Sequence, residues 1–415
     1  METAKPFDIS KAAVWRAWEL VKANDGAAGV DSETIGQFES NLKGNLYRLW
    51  NRMSSGSYFP AAVKTVAIPK KDGGIRKLGI PSVTDRIAQM VAKLYFEPQV
   101  EPYFHKDSYG YRPHKSAHQA LAITRERCWR YDWVLEFDIK GLFDNIDHDL
   151  LMQAVKKHTD TRWLLLYIDR WLTAPIEQAD GQTVIRTRGV PQGGVVSPVL
   201  SNLFMHYAFD KWMGRSYPIL PFCRYADDGL VHCRSEAEAL AVHAALVARM
   251  QDCGLELHPL KTKIVYCKDD ARRGTYPHTS FDFLGFTFRP RRSKSRYGKY
   301  FVGFTPAMSA VAGKAIRQAV RKWKLHLRSD KSLRDLSLMF RLQIQGWINY
   351  YGRFCRSAMY PTLRHINRKL SLWATRKYKK LRHHRRRAEH RLGLIAKRQP
   401  GLFPHWRLGV RPAIG

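Results

Sequence analysis

The spacing of apolar positions switches repeatedly between a helical and a strand period, and these switches mark out the elements. Val14, Trp18 and Val21 put an apolar face on a helix over residues 10–24, and a second helix is expected over 34–53, after a glycine-punctuated turn at 25–31. Residues 63–81 read as two strands joined at Asp72-Gly73-Gly74. Ile87, Met90, Val91, Leu94 and Tyr95 fall at helical spacing within 83–103, and an apolar strand from Trp133 runs into Asp138 before a helix over 149–158. A helix over 163–173, a hairpin around 179–182 and a glycine-rich turn at 188–194 lead to a helix over 198–212. Two strand-forming runs flank Ala226-Asp227-Asp228-Gly229, whose Asp-Gly tolerates the positive φ of a tight turn. An alanine-rich amphipathic helix then covers 235–253, and residues 281–288 alternate aromatic rings as a strand does.

Beyond residue 306 the pattern is helical only. Ile316, Val320, Trp323 and Leu327 line one stripe, Leu333, Leu336, Phe340, Ile344, Trp347 and Tyr351 a second, and Leu363, Ile366, Leu370 and Trp373 a third. Three such stripes make a small bundle.

Charge sharpens this division. Of the net +34, residues 289–415 account for +30, with 33 Lys or Arg against three acids, whereas the first 288 residues hold 37 bases and 33 acids. So one-sided a field implies a polyanionic partner, most simply nucleic acid, bound largely through phosphates. At 45% hydrophobic residues the chain has enough apolar side chains for real cores. No apolar run reaches the length of a membrane helix and no apolar leader opens the chain, so a cytoplasmic protein is expected, with no membrane partner. The six cysteines include no Cys-x-x-Cys pair, which argues for reduced thiols and against a zinc ribbon.

The candidate chemistry is carried by carboxylates. On its own, Ala226-Asp227-Asp228-Gly229 also fits an ordinary solvated turn. Asp138 changes that reading. Two strands ending in aspartate and lying side by side would bring Asp138 to Asp227 and Asp228, and three carboxylates can hold two magnesium ions for an in-line displacement at phosphorus. The 63–81 hairpin could fold over a triphosphate and offer its cations to the oxygens, although lysines guarding a sheet edge fit it equally well.

Tyr225-Ala226-Asp227-Asp228, Phe137-Asp138-Ile139 with Phe143 five residues after Asp138, and Gly189-Val190-Pro191-Gln192-Gly193-Gly194 resemble the palm of a reverse transcriptase. Gln345-Gly346-Trp347-Ile348-Asn349-Tyr350-Tyr351-Gly352-Arg353 resembles maturase domain X, so the chain is similar to bacterial group II intron reverse transcriptase/maturase proteins rather than to retroviral enzymes. The resemblance implies an α+β right-hand polymerase. Its divisions would be an N-terminal extension over 1–60, fingers and palm over 61–288, an α-helical thumb over 289–375 and a basic nucleic-acid-binding tail over 376–415. It implies catalysis by Asp138, Asp227 and Asp228, with Ile139 joining them around two Mg2+ ions, and nucleotide contacts from Lys70, Arg76, Phe143, Gln192 and Lys261. Phe143 would exclude a 2′-hydroxyl. Nucleic acid would meet Arg112, in a loop near template and primer, Arg353, and the basic run with Lys377, Lys379, Lys380, Arg385, Arg386 and Arg387.

The partners implied are intron RNA, an RNA template, a DNA primer or target, and dNTPs; a homodimer is left open, as is a bacterial nucleoid- or RNP-associated location. The motifs end without the His-Asn-His nuclease that many members carry, which leads to the expectation of the compact lineage lacking it. Two rival readings stay open: a maturase or RNA-binding module without polymerase activity, and a reverse transcriptase recruited to host defence or repair.

Overall fold

Side-chain capping starts the N-terminal helices. In the computed structural model, which describes residues 5–69, 74–178, 180–295 and 297–413, the Ser10 hydroxyl accepts the Ala12 amide to open Lys11–Asn24, and Thr34 with Gln37 forms a capping box on Ile35–Ser40. The single helix expected over 34–53 is therefore two. Asn41 leaves helical geometry (φ −127°, ψ 46°), and Leu42–Ser54 restarts beyond it. Trp18 stacks on Phe38 at 5.3 Å and ties the first two helices together.

The chain divides into two units, one of Met1–Ser116 with Leu135–Lys263 and the other of Ala117–Val134 with Ile264–Gly415. The spine of the first is the helix Val83–Val100, in which Val83, Ile87, Ala88, Ala92, Phe96 and Val100 are fully buried. Ser82 caps it and Asp85 lies buried in its first turn, accepting from the Ser82 hydroxyl at 2.8 Å, the Ala61 amide at 3.1 Å and the Tyr58 hydroxyl. Strand β1 (Val63–Pro69) pairs antiparallel with β2 (Ile75–Ile80), from Lys64 opposite Ile80 to Pro69 opposite Ile75. The strand β3 (Trp133–Asp138) crosses into this unit from the other. Short strands β4 (Ile176–Glu177) and β5 (Thr183–Val184) extend the first sheet, with β4 parallel to β1. The hairpin of β6 (Phe222–Tyr225) and β7 (Asp228–Cys233) places β7 next to β3. The helix expected over 198–212 is α-helical at Ser197–Met205, widens to a π turn at His206–Asp210 and resumes at Lys211–Ser216.

The second unit begins with Ala117–Cys128 and, after β8 (Lys263–Tyr266), builds an antiparallel sheet of β9 (Phe281–Phe283), β10 (Phe286–Lys294) and β11 (Tyr300–Met308). The aromatic alternation is core packing. Phe281, Phe283, Phe286, Phe288 and Phe304 are buried, and Phe281 stacks on Phe288 at 4.7 Å. Residues 281–288, expected with the palm, belong by compactness to this unit.

The bundle follows, with helices Ala310–Lys322, Leu333–Tyr351 and Tyr360–Lys377. The stripes interlock: Trp323 stacks on Phe340 at 4.2 Å and on Trp347 at 5.7 Å. Leu327, expected in the first stripe, lies exposed in a 3-10 turn, and Leu325 takes the buried place. Residues 376–415 are expected as a basic tail, but those from Leu381 to Val410 contribute to the bundle core. Ala388, Leu392 and Ala396 of Arg385–Arg398, together with Phe403, Trp406 and Val410, join one core with Ile316, Trp323, Leu336 and Leu370. The apolar residues at helical spacing within the basic run are the physical reason.

That closure depends on Asn367. Its Oδ1 accepts from Trp406 Nε1 at 2.9 Å and from His405 Nε2 at 2.8 Å, while its Nδ2 donates to the Val410 carbonyl at 3.0 Å. His405 is wholly buried, its Nδ1 has no partner, and burial pushes its pKa down to about 3. A histidine held neutral in the fold but free to charge when unfolded favours the folded state above its ordinary pKa of 6.5. That contribution is lost as the pH falls from 6.5 towards 3. Urea unfolding of this unit is expected to show a loss of about 2 kcal/mol between pH 6.5 and 5, and His405→Gln should remove most of that slope; an unchanged slope in the variant contradicts this origin.

Candidate active site

Asp138 is the last residue of β3, and the β6–β7 turn carries Asp227 and Asp228 beside it. The turn is tighter than the Asp-Gly signal suggested. Tyr225 pairs with Asp228, so the two loop residues are Ala226 and Asp227, with positive φ at Ala226 (58°), as in a II′ turn. Gly229 lies in the strand, and its lack of a side chain serves packing. A Cβ there would fall inside the Phe137 ring of β3. The glycine therefore lets β7 close on β3 and draws the two carboxylate-bearing strand ends together.

Alanine in the left-handed region costs of order 1 kcal/mol or more, so something must hold it. Arg224 does. Its guanidinium is fully buried, donates from Nε and Nη2 to the two Asp210 oxygens at 2.7 Å each, and donates from Nη1 to the Ala226 carbonyl at 3.1 Å and to Asn202 Oδ1 at 3.3 Å. Asn202 Nδ2 in turn donates to the Gly110 carbonyl at 2.7 Å, and a Cβ on Gly110 would collide with Ala226. Tyr109 N donates to the Arg224 carbonyl at 2.8 Å and Arg224 N to the Asp107 carbonyl at 3.0 Å, so residues 107–109 bond along the outer edge of β6. Burial works against ionisation of Asp210, but Arg224, with help from His206, holds its carboxyl below the usual range. The sequence reading missed these positioning residues. Their one visible signal was charge inside apolar runs, Arg224 between Cys223 and Tyr225 and Asp210 at the end of a hydrophobic helix.

The three carboxylates feel one another. Burial, then the charges of Asp227 and Asp138, push the Asp228 carboxyl upward, and burial together with the Asp138 charge raises Asp227. Lys261 answers this field. Its Nζ lies 2.8 Å from Asp138 Oδ2, and that bond raises the lysine's own pKa. The loop bearing it is tied to β3 by His258 N to the Asp138 carbonyl (2.8 Å) and Lys140 N to the Glu256 carbonyl (2.9 Å). Those two bonds flank Ile139, which is buried and bridges Leu257. Tyr111 also feels this field: burial raises its pKa first, and the Asp227 charge adds to it.

Expected nucleotide contacts gather in the same unit. Arg76 Nε donates to Gln192 Oε1 at 2.7 Å, and the Gln192 carbonyl accepts from Gly79 N at 2.7 Å. A Cβ on Gly193 would strike the Gly79 carbonyl, so the glycine-rich turn lies directly against β2. The same turn packs on the short helix Leu142–Asn145: Val190 N donates to the Phe143 carbonyl and Gly189 N to the Ile146 carbonyl, each at 2.7 Å. Phe143 itself is buried. Lys70 lies outside the described residues.

The nucleic-acid candidates divide. Arg112 spends its guanidinium inside the protein, on both Glu101 oxygens (2.7–3.1 Å) and on the His105 and Ser108 carbonyls (2.6 and 2.7 Å), with a side chain only 6% exposed. It is a loop clamp rather than a phosphate ligand. Lys377 is half-buried and donates to the Ser329 carbonyl at 2.7 Å. Arg353, Lys379, Lys380, Arg385, Arg386 and Arg387 are exposed. The last three open the helix Arg385–Arg398, where the helix dipole disfavours cations.

Among the described residues no group of three or more His, Cys, Asp or Glu side chains stands ready as a metal cage. The donor set nevertheless suits a hard cation. It is all oxygen, burial and then the neighbouring carboxylate charges raise two of its carboxyls, and Lys261 already neutralises part of the charge. Magnesium seldom takes an all-protein cage, binding one or two carboxylates alongside water and substrate phosphate.

Comparison with known proteins agrees with this geometry. Residues 68–288 match the model of the reverse transcriptase (RNA-dependent DNA polymerase) family, and residues 313–392 match the group II intron maturase-specific domain. The chain is 30% identical over 341 residues to protein YkfC of Escherichia coli, covering 73% of this chain and 86% of that one. It is 32% identical over 201 residues to the group II intron-encoded protein LtrA of Lactococcus lactis, covering 48% of this chain but only 33% of that one.

Breaking a buried ion pair on one side leaves an uncompensated charge. Arg224→Met and Asp210→Leu are each expected to cost about 3–5 kcal/mol in denaturant unfolding, and the Arg224→Met/Asp210→Leu double variant clearly less than the sum; additive losses would refute the coupling.

Proposed function

We propose, for a chain that belongs to the reverse transcriptase family and carries a group II intron maturase-specific domain, that it copies RNA into DNA and binds the intron RNA it serves. The observation that carries the first half is the meeting of Asp138, Asp227 and Asp228, from two separate stretches of chain, at one end of a sheet, with Lys261 bonded to Asp138. Asp138, Asp227 and Asp228, with the adjoining Ile139 carbonyl, are the residues that would hold two magnesium ions, which when bound neutralise charge at the attacking and leaving oxygens of a phosphoryl transfer. Lys261 keeps the Asp138 carboxylate in place. Arg76, exposed on β2 and steadied by Gln192, is suited to grip the triphosphate of an incoming dNTP. Phe143, buried and backed by the turn that carries Gln192, would pack against the sugar of that nucleotide and so favour a 2′-deoxynucleotide.

The second half rests on the basic bundle. Placing Arg385, Arg386 and Arg387 exposed on the first turn of a helix works against that helix, and such a local cost is expected where a surface serves a polyanion. Intron RNA is the partner this surface fits, given the maturase match over the same residues.

The test is primer extension on an RNA template annealed to a DNA primer, with dNTPs and magnesium. Wild type is expected to extend and Asp227→Ala to fall by at least about 10²–10³-fold. If neither extends while RNA is bound tightly and salt-sensitively, the polymerase reading fails and the maturase module stands alone. In the same assay Phe143→Ala is expected to admit ribonucleotides in competition with dNTPs; unchanged discrimination would remove Phe143 from the selecting role.

A further inference from the structure

Within the second unit a cleft of about 640 Å³ is lined by Arg125, Trp129, Arg289, Arg291, Arg292 and Phe301, among others. None of its lining residues is acidic. Among the described residues none of the four guanidiniums stands in an ion pair, and the nearby Glu126 is taken by Arg130 at 2.6 Å. The positive charge is therefore uncompensated, and it shows in Arg291, whose pKa is lowered by burial and then by the neighbouring Arg289 charge. Arg125, which also lines the cleft, has its Nε buried without a partner. Clustering like charges without a counter-ion is costly unless a ligand supplies one.

The cleft also exposes rings. Trp129 is 49% and Phe301 42% exposed. Trp129 is fixed edge-on by its Nε1 bond to the Phe304 carbonyl at 3.0 Å. The Arg125 guanidinium lies 5.1 Å from the Trp129 ring centre and 5.3 Å from that of Phe354, and Arg292 lies 4.2 Å from that of Tyr300. The nine-residue arms of β10 and β11 give these side chains a rigid floor.

We propose that this cleft binds an unpaired stretch of nucleic acid, with the exposed Arg289 and Arg292 guanidiniums on the phosphates, while Arg291 donates to the Thr287 and Thr305 carbonyls, and with bases against the exposed rings. A duplex hides its bases and would leave the rings unused. An acidic peptide would need the cations alone. Unpaired nucleotides use both, and base stacking on aromatic side chains is tolerant of sequence. The lining includes none of Asp138, Asp227, Asp228 and Lys261.

The test is fluorescence anisotropy on the full chain with a short oligouridine, a short oligothymidine and a blunt hairpin duplex, comparing wild type, Phe301→Ala and Arg289→Gln/Arg292→Gln. All three side chains are exposed, so the fold should survive, as circular dichroism will verify. Phe301→Ala is expected to weaken single-strand binding about tenfold while leaving duplex binding intact. The arginine pair should weaken single-strand binding and flatten the slope of log affinity against log salt by about 0.7 for each phosphate no longer neutralised. Whichever of the two oligomers loses affinity names the strand taken, and loss in both means the site ignores the sugar. Photo-crosslinks from a 4-thiouridine oligomer should fall in residues 125–129 and 289–301. Affinity unchanged in both variants overturns the proposal. So does a loss on arginine removal that is equal for single strand and duplex and indifferent to Phe301, or displacement of the oligomer by polyglutamate with that same indifference: each marks a general anion patch.

Discussion

The carboxylate end of the central sheet depends on one buried interaction, the ion pair of Arg224 with Asp210. A fully buried guanidinium is tolerable only if its donors are used, and here they hold Asp210, Asn202 and the strained carbonyl of Ala226 at once. By satisfying itself, Arg224 fixes a turn that ordinary residues avoid. The turn in turn presents two adjacent aspartates that no local preference would place together.

The consequence is a site with more negative charge than the protein neutralises. Lys261 pairs with Asp138, while burial and then the Asp138 charge push Asp227 towards protonation, and burial and then the Asp227 and Asp138 charges do the same to Asp228. Local stability is surrendered at this point, a cost that folds concentrate at functional sites. The glycines of the 189–194 turn act in the same direction, letting backbone approach backbone so that Arg76, Gln192 and Phe143 share one neighbourhood.

In the second unit the opposite charge is managed in two ways. Apolar residues at helical spacing carry the basic run into the bundle core, so the cations stand on a folded surface rather than on a loose tail. Elsewhere, around Arg125, Arg289, Arg291 and Arg292, cations gather beside exposed rings with no acid to offset them.

Much of this was determined by the sequence alone. Periodicity located the bundle helices and the strands around Asp138 and Asp227, and the resemblance to reverse transcriptases pointed to the three carboxylates, Arg76, Phe143, Gln192 and Lys261, which the fold holds within one unit. Charge bookkeeping placed the basic region correctly but not its form, since composition does not say whether a cationic stretch also has an apolar face to bury. What only the tertiary structure decided are the relations between residues far apart in the chain: Arg224 with Asp210 and Asn202, Gly229 against Phe137, the inward turn of Arg112 onto Glu101, and Asn367 closing on His405 and Trp406. Those contacts depend on register and packing, where a single Cβ or an unpaired donor decides the outcome, and no local pattern encodes them.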